Sequence, residues 1–253
     1  MLTDKKEMRI LTIGAHAADQ ELAAGMIVAK YTAAGHKAFI LSLTPGEKGH
    51  PTLSAEEYAE QKRREAAECC RKLGAEAIIL NYKDAELPYN DEVSYEVCDI
   101  IRDIKPDVII THWQNSMHRD HRHAHKIAMD ATFFAALKRI ERGKPAHWTR
   151  RVFFSENWED MEGYEPDIYV QIPEPIFEQY CDALSSFALW EGGTGWPYAD
   201  YYKSLARLRG CLGGGLNWKY AAALMVPSSA MATKYCSCLR SMLPPYHGRI
   251  RSI

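Results

Sequence analysis

The sequence lacks the features of membrane proteins and of nucleic-acid-binding proteins. No apolar stretch approaches the roughly 18 residues that a membrane-spanning helix needs, and the charged start "MLTDKKEMRI" has no apolar signal core. No run of about five basic residues occurs, and the net charge of −2 gives no electrostatic footprint for nucleic acid. We therefore expect a cytoplasmic protein that binds neither a membrane nor a nucleic acid.

The spacing of a disulfide framework is also missing. The seven cysteines are odd in number, Cys69 and Cys70 are adjacent, and Cys236 and Cys238 form a C-x-C pair. Reduced thiols in a cytoplasmic protein explain this usage best. There is no Gly-x-Ser-x-Gly motif and no Cys–His pairing, so the sequence indicates no covalent nucleophile.

What the sequence does contain is a regular alternation of strand and helix patterns. Short apolar runs predict strands at 8–14, 37–44, 75–82, 107–113, 150–156 and 167–172. Helical spacing of apolar residues and capping signals predict helices at 19–34, 54–73, 91–105, 120–142, 174–186 and 198–209. A chain of 253 residues is long enough to bury one large core.

This alternation predicts the fold class. Buried strands separated by helices are typical of an α/β protein with a parallel sheet covered on both faces. We expect a Rossmann-like, doubly wound, mainly parallel sheet of strand order 3-2-1-4-5. The absence of a clear linker predicts one domain over residues 1–253, with an irregular C-terminal part beyond residue 156.

Histidines gather at two places that this topology brings together. The first strand is followed by His16 and Asp19, and the fourth by His112, His118, His121, His123 and His125. In a sheet of order 3-2-1-4-5, strands one and four are neighbours where the winding reverses, and the loops leaving them form the ligand crevice. Two segments about a hundred residues apart are therefore predicted to meet.

Such a meeting suggests a metal site. His16, Asp19 and one histidine of the second segment supply two imidazole nitrogens and a carboxylate, which suit Zn²⁺ and leave a position open for water. Fe²⁺ and Co²⁺ also fit this ligand set. His121 stands at the start of a predicted helix, where its ring can point back into the crevice. The rival pairing is His121 with His125 on one helical face.

The two segments resemble motifs of the PIG-L/LmbE-like superfamily of zinc-dependent N-acetyl-sugar deacetylases. "AHAADQE" (15–21) resembles its A-H-P-D-D-x-E motif, and "HRDH" (118–121) resembles its H-P-D-H motif. "TPGEKG" (44–49) and "RREAAECCRKLGAE" (63–76) resemble a loop and a helix of the family. The resemblance spans roughly residues 8–225 and implies a zinc hydrolase that removes acetyl groups from N-acetylated sugars or glycoconjugates.

The resemblance also implies roles for single residues. His16, Asp19 and His121 correspond to the metal ligands. Asp120 corresponds to a carboxylate that orients a histidine. His118 corresponds to the donor that stabilises the oxyanion of a tetrahedral intermediate.

Substrate contacts are expected from three further residues. Arg64 and Asp84 match family positions near the substrate, and Trp113 lies between the fourth strand and the histidines, where it can stack on a sugar. The expected partner is a small-molecule substrate of carbohydrate type. We also expect the chain to form a homo-oligomer.

The sequence departs from the family pattern at one functional position. Ala18 replaces the aspartate that acts as general base, and Ala17 replaces the neighbouring proline. Methyl groups cannot accept a proton, and losing a positioned base usually costs about 10²–10⁴ in rate. Another carboxylate could act instead, and Glu47 in the loop 44–49 and Asp120 are the candidates.

Two other functions remain open. The Ala-His-Ala-Ala-Asp pattern also resembles the hydratase branch of the superfamily, which adds water to the double bond of oxalomesaconate, an unsaturated keto-dicarboxylic acid, with a loop glutamate transferring the proton. His118, in contrast, agrees with the deacetylase pattern. The third alternative is a non-catalytic binding protein with the same fold.

Overall fold

A seven-stranded mixed sheet forms the centre of the protein in a computed structural model that describes residues 7–160 and 162–227. Cys236, Cys238 and the rest of the C-terminal tail lie outside the described residues. The strands are β1 (Arg9–His16), β2 (Lys37–Thr44), β3 (Glu76–Ile79), β4 (Val108–His112), β5 (Arg151–Ser155), β6 (Ile168–Ile172) and β7 (Tyr220–Met225).

The sheet has the predicted central order. Its strands run β3-β2-β1-β4-β5-β7-β6, and the first five are parallel. Ile10 of β1 pairs with Ala38 of β2 on one side and with Val108 of β4 on the other. The order 3-2-1-4-5 is confirmed, and the carboxyl ends of β1 and β4 lie side by side where the winding reverses.

In the described part of the chain, six α-helices cover the two faces of the sheet. They are α1 (Asp19–Ala33), α2 (Ala55–Leu73), α3 (Asp91–Ile104), α4 (Arg119–Ala136), α5 (Glu174–Leu184) and α6 (Tyr198–Gly214). Side chains of β1 alternate between two apolar layers, because successive residues of a strand point to opposite faces. Ile10 packs in the layer with α1, α2, α5 and α6, whereas Leu11 and Ile13 pack in the layer with α3 and α4.

The fourth helix is shorter than predicted. It ends at Ala136 rather than near residue 142, and Leu137 after it is extended. The buried guanidinium of Arg102 donates hydrogen bonds to the carbonyls of Phe134, Ala135 and Leu137. These are carbonyls that the end of a helix leaves without partners inside the helix, so Arg102 stabilises the helix end at this point.

The C-terminal part is more regular than predicted. The sequence analysis did not predict β7, which lies between β5 and β6 and is antiparallel to both. Its sequence "YAAALM" is rich in alanine, a residue with low β-propensity, so pairing with two neighbours rather than local preference explains the strand. Helix α6 also continues to Gly214, five residues beyond the predicted end at 209.

None of the helices in the described part of the chain combines the length and the apolar character that crossing a membrane requires.

Candidate metal centre and cavity

The end of β1 and the start of α1 hold the first half of the site. His16 is the last residue of the strand, and Asp19 is the first residue of the helix. Asp19 Oδ2 accepts a hydrogen bond from the backbone N–H of His16 at 2.7 Å and lies 3.2 Å from His16 Nδ1. The turn between them includes Ala18, whose φ of 92° is left-handed. Glu21 stabilises this turn because its carboxylate accepts the N–H of Ala18.

The end of β4 and the start of α4 hold the second half. His121 Nε2 lies 3.2 Å from Asp19 Oδ2, so the two segments meet as the strand order predicts. His118 is the N-cap residue of α4, and its Nδ1 accepts the N–H of Asp120 at 3.2 Å. A neutral His118 ring therefore carries its proton on Nε2.

His112 also reaches this cluster, although the sequence analysis gave it no role. Its Nε2 lies 3.2 Å from Asp19 Oδ2, but the same nitrogen accepts the N–H of Ala15 at 3.1 Å. Its ring stacks on His121 with the centroids 4.0 Å apart. Burial lowers the pKa of His112 to about 4, so the ring is neutral. A nitrogen that already accepts a backbone N–H is a poor metal ligand. We therefore interpret His112 as a residue that holds His121 in place by stacking on its ring.

Glu159, in the loop after β5, completes the surroundings of His121. Its Oε2 lies 2.9 Å from His121 Nδ1, and Ser116 Oγ lies 3.2 Å from the same nitrogen. A carboxylate on the outer nitrogen of a metal-binding histidine fixes the ring and its tautomer. No sequence motif marks Glu159, and the sequence analysis missed it.

The carboxylates favour positive charge at the two facing rings. Burial lowers the pKa of His16, but Asp19 and the carboxylates of Asp120 and Asp84 outweigh it and bring the pKa well above its usual value. Burial also lowers the pKa of His121, but the carboxylates of Asp19 and Glu159 outweigh burial and bring the pKa to about 9. Burial raises the pKa of Asp19, yet His121 and His16 hold it well below its usual range. Such a field attracts a cation.

The donor atoms fit a divalent ion. Three overlapping groups have ligand atoms within 4.8 Å of one another: His16–His118–His121, Asp19–His112–His121 and His16–Asp84–Asp120. Ligand atoms about 2.0–2.2 Å from a tetrahedral zinc lie roughly 3.3–3.6 Å apart. The separation of 3.2 Å between Asp19 Oδ2 and His121 Nε2 is close to that range. His16 Nε2 and both oxygens of Asp120 are buried without a well-aligned hydrogen bond.

The rival metal pair, His121 with His125, is not brought together as a ligand set. His125 Nδ1 donates a hydrogen bond to the carbonyl of His112 at 2.8 Å, and its ring packs on Phe154. Among the described residues, His125 belongs to none of the possible metal groups. Its role in the structure is to join α4 to the end of β4.

The two candidate bases lie behind the site. Glu47 Oε1 accepts the backbone N–H of Asp84, and Asp120 is fully buried with an oxygen 3.5 Å from His16 Nε2. Neither carboxylate lines the cavity next to the histidines. Asp84 does line it, and its Oδ1 lies 3.0 Å from His16 Nε2.

A cavity of about 220 Å³ opens beside the histidines. His16, Asp19, His118 and His121 form part of its wall, together with Ala18, Lys62 and Asp84. The region after β5 supplies the opposite wall, with Asn157, Trp158, Glu159, Leu189, Thr194 and Tyr198. Trp158 stacks on Trp196 with the ring centroids 4.4 Å apart.

Two predicted substrate contacts lie elsewhere. Arg64 is exposed and pairs with Glu60, one helical turn earlier, on the outer face of α2. Arg64 and Lys62 point in nearly opposite directions, because residues two apart on a helix lie on opposite faces. Tyr58 and Lys62 are the residues of this helix that line the cavity. Trp113 is buried against Phe154 and donates to the carbonyl of Glu162, so its ring is part of the core. Neither the Arg64 nor the Trp113 side chain lines the cavity beside the histidines.

Known proteins share this architecture. Diacetylchitobiose deacetylase of Thermococcus kodakarensis is 28% identical over 222 residues, which are 76% of this chain and 81% of that protein. 4-Oxalmesaconate hydratase of Pseudomonas putida is 22% identical over 213 residues, 79% of each chain. The crystal structure of a conserved protein of Thermus thermophilus is 25% identical, has a TM-score of 0.74, and is matched over 86% of this chain and 94% of that one.

The first half of the chain matches a known protein family. The sequence model of the PIG-L family, described as GlcNAc-PI de-N-acetylase, matches residues 11–132, which include both histidine segments. The matched residues run from β1 into α4 and carry His16, Asp19, His118 and His121. Residues 11–132 therefore match a PIG-L family domain, which is consistent with the PIG-L/LmbE superfamily.

Proposed function

We propose that this protein is a zinc-dependent deacetylase that removes the acetyl group from an N-acetylated sugar or glycoconjugate. The observation that carries the proposal is the meeting of His16, Asp19 and His121 at a cavity lined by His118. The relatedness to diacetylchitobiose deacetylase supports the substrate class.

We assign the metal to His16, Asp19 and His121, supported on the outside by Asp120 and Glu159. Bound zinc supplies Lewis acidity, which polarises a carbonyl and lowers the pKa of water to about 7. Three protein ligands leave a position for water, as catalytic zinc sites do. Fe²⁺ or Co²⁺ would serve the same ligand set.

His118 has the properties of an oxyanion donor. Burial and the neighbouring His121 and His16 lower its pKa, so the ring is neutral near pH 7. Its Nδ1 accepts the N–H of Asp120, which leaves the proton on Nε2. A preorganised N–H donor stabilises the negative charge that develops on the carbonyl oxygen during attack.

Glu159 is our candidate for the proton transfer that Ala18 cannot perform. It lines the cavity, as Asp84 does, whereas Glu47 and Asp120 lie behind it. Burial raises the pKa of Asp84, but hydrogen bonding and charge from His16 outweigh burial and bring the value to about 2. A carboxylate that holds its proton so weakly is a poor base near pH 7.

The deacetylase proposal is tested by incubating zinc-loaded protein with a panel of N-acetylhexosamines and N-acetylated disaccharides and measuring free amine. We expect release that stops after chelation and returns with zinc. Glu159→Gln should lower the rate roughly 10²-fold, while the exposed control Glu165→Gln leaves it unchanged. No amine from any substrate would reject the proposal.

A hydratase is the second candidate, favoured by the relatedness to 4-oxalmesaconate hydratase and by the alanine at position 18. Decay of the ultraviolet absorbance of an unsaturated keto-dicarboxylic acid, without amine release from N-acetyl sugars, would select it. Ala18→Asp separates the two further. A large gain on N-acetyl sugars would mean that a base is missing, and no gain would mean that another group serves. If both assays are blank while sugars still raise the melting temperature, the protein is a binding protein.

A further inference from the structure

Lys62 occupies an unusual place for a lysine. Helix α2 buries a stripe formed by Tyr58, Lys62, Ala66, Cys70 and Leu73, and Lys62 is only 4% exposed. Lysine is almost never fully buried unless it is paired, because removing an ammonium from water costs several kcal/mol. A cation on the buried stripe of a helix therefore needs an explanation.

The charge of Lys62 has no close polar partner in the described part of the chain. No hydrogen bond and no ion pair to its Nζ is formed by residues 7–160 or 162–227. Its neighbours are two aromatic rings, with Nζ 5.0 Å from the centroid of Phe187 and 5.8 Å from that of Tyr58. Cation–π contacts of this kind offset only part of the desolvation.

Lys62 belongs to the wall of the cavity that holds the histidines. Its stem passes Gly46, where an added Cβ would lie 3.7 Å from Lys62 Cε and 3.0 Å from His16 Cβ. Lys62 and His16 thus pack against the same glycine. A ligand at the histidines is therefore within reach of the ammonium.

The carboxylates nearby do not need Lys62 for compensation. Asp84 faces His16 Nε2 and accepts the N–H of Lys48, and Asp19 faces two imidazoles and accepts the N–H of His16. Glu159 faces His121. Glu21 accepts the N–H of Ala18, and Glu65 accepts hydrogen bonds from Gln61 and from the N–H of Ala188. The charges of Asp19, Glu21, Glu65 and Asp84 act on Lys62 from a distance, but its Nζ has no direct hydrogen-bond or ion-pair partner in the described part of the chain.

We propose that Lys62 binds an anionic group, a carboxylate or a phosphate, of the molecule that occupies this cavity. Resting on the proposed function, the inference names the substrate as an N-acetylated sugar that carries an acidic substituent. Tyr58 and Phe187 hold the ammonium in place and exclude water, and the acidic group completes its coordination. Charge-assisted hydrogen bonds are about twice as strong as neutral ones, so this contact favours acidic over neutral sugars.

The test compares matched substrates on zinc-loaded protein. N-acetylglucosamine is the neutral probe, its 6-phosphate carries the phosphate, and N-acetylmuramic acid carries the carboxylate. We expect Lys62→Met to lower kcat/KM for the preferred acidic sugar roughly 10–100-fold while the neutral sugar changes less than about 3-fold. Lys62→Arg should keep most of the preference, and Lys48→Met, which removes a lysine charge that pairs with Glu86 on the surface, should change neither substrate.

Several outcomes would overturn the inference. Wild-type protein that treats all three sugars alike would do so, as would an equal loss on neutral and acidic sugars in Lys62→Met. A lower melting temperature of the ligand-free Lys62→Met protein would also overturn it, because it would show that the ammonium stabilises the nearby carboxylates of the protein itself. A melting temperature of Lys62→Met equal to or above that of the wild type agrees with a Lys62 ammonium that lacks a direct partner in the ligand-free protein.

Binding measurements separate this inference from the proposed function. Calorimetric titration with the acidic and neutral sugars reports affinity whether or not any amine is released. If no sugar is deacetylated but the acidic sugar binds wild type more tightly than Lys62→Met, the deacetylase proposal fails and the anion site stands. If the neutral sugar is deacetylated and the acidic sugars bind no better, the reverse holds.

Discussion

The two regions that face each other across the cavity contribute in different ways. The region from β1 to α4 supplies His16, Asp19 and His121, the proposed metal ligands, and the chemistry of such a site would restrict their types and spacing. The region from β5 to β7 supplies a wall of mixed polarity, in which Trp158 and Tyr198 present aromatic rings and Glu159 contacts His121. Residues that follow strands at the switch point can be located from the strand pattern, whereas a residue in an irregular loop, such as Glu159, cannot.

The regions also differ in how they position side chains. In the first, parallel strands end at one edge of the sheet and carry the residues after them to the same place. In the second, β7 runs antiparallel to its neighbours, and loops between the strands and α6 form the wall. Strand order locates the first set of residues, and tertiary packing locates the second.

The largest effect should come from removing the central carboxylate of the first region. Asp19→Asn keeps the shape of the side chain and removes the charge that faces three histidine rings. We expect loss of bound zinc and a fall in amine release on the order of 10³-fold or more, because a catalytic metal contributes several kcal/mol to the barrier. Metal content by mass spectrometry and the rate assay check this, with Asp91→Asn, at an exposed residue of α3, as control. Retention of zinc by Asp19→Asn would break the comparison.

Attachment of the second region to the first depends on packing, and Tyr180 of α5 is its most informative residue. The ring is fully buried against Gly25, and Oη donates to the carbonyl of Leu22 at 2.8 Å. Tyr180→Ala should lower the free energy of unfolding by about 3–5 kcal/mol through the cavity it leaves, and Tyr180→Phe by about 1 kcal/mol. Urea denaturation measures both. Equal losses would show that the hydroxyl, not the packing, joins the regions.

How far the sequence predicts the site follows the same division. The fold class, the strand order and the meeting of His16 with His121 follow from the strand pattern together with the rule for switch points. Lys62 could have been found, because positions 58, 62, 66 and 73 form a helical stripe that points one charged residue inward. Arg64 matches the family motif but lies on the exposed face of α2, because it stands two residues from Lys62 on the helix.

Glu159 and β7 could not be predicted in this way. Glu159 lies in a loop without a motif, and only the packing of β5 beside β4 brings it to His121. The alanine-rich β7 has no periodicity of its own and owes its strand geometry to β5 and β6. Both features arise from contacts between residues distant in sequence, which a local pattern does not encode.

One carboxylate from each region, Asp19 and Asp160, should respond oppositely to pH. Asp19 has partners that lower its pKa, whereas burial raises the pKa of Asp160, in the second region, to about 7. A carboxyl group with a raised pKa in the folded state contributes stability below its unfolded pKa near 3.8. This stability is lost as pH rises towards 7. Asp160→Asn should therefore stabilise the protein by about 1–3 kcal/mol above pH 7.

The measurement is urea denaturation of the wild type and of Asp160→Asn at several values between pH 4 and pH 8. The difference between the two proteins should grow from pH 4 to pH 7 and then remain constant, because Asp160 titrates only over this interval. A difference that does not depend on pH would show that Asp160 is already compensated, as Asp19 is, and would remove this contrast between the regions.

The smallest effect should come from the turn that carries the first region's ligands. Ala18 has a φ of 92°, and non-glycine residues adopt such left-handed angles at a cost of roughly 1–2 kcal/mol. Ala18→Gly removes this strain but makes the unfolded chain more flexible, so we expect a net gain of about 0.5–1 kcal/mol in unfolding free energy with zinc content unchanged. Thermal and urea unfolding of the two proteins, with zinc measured in parallel, check this. Destabilisation by glycine would mean that the alanine methyl, buried at the cavity wall, contributes more through packing than the backbone angle costs.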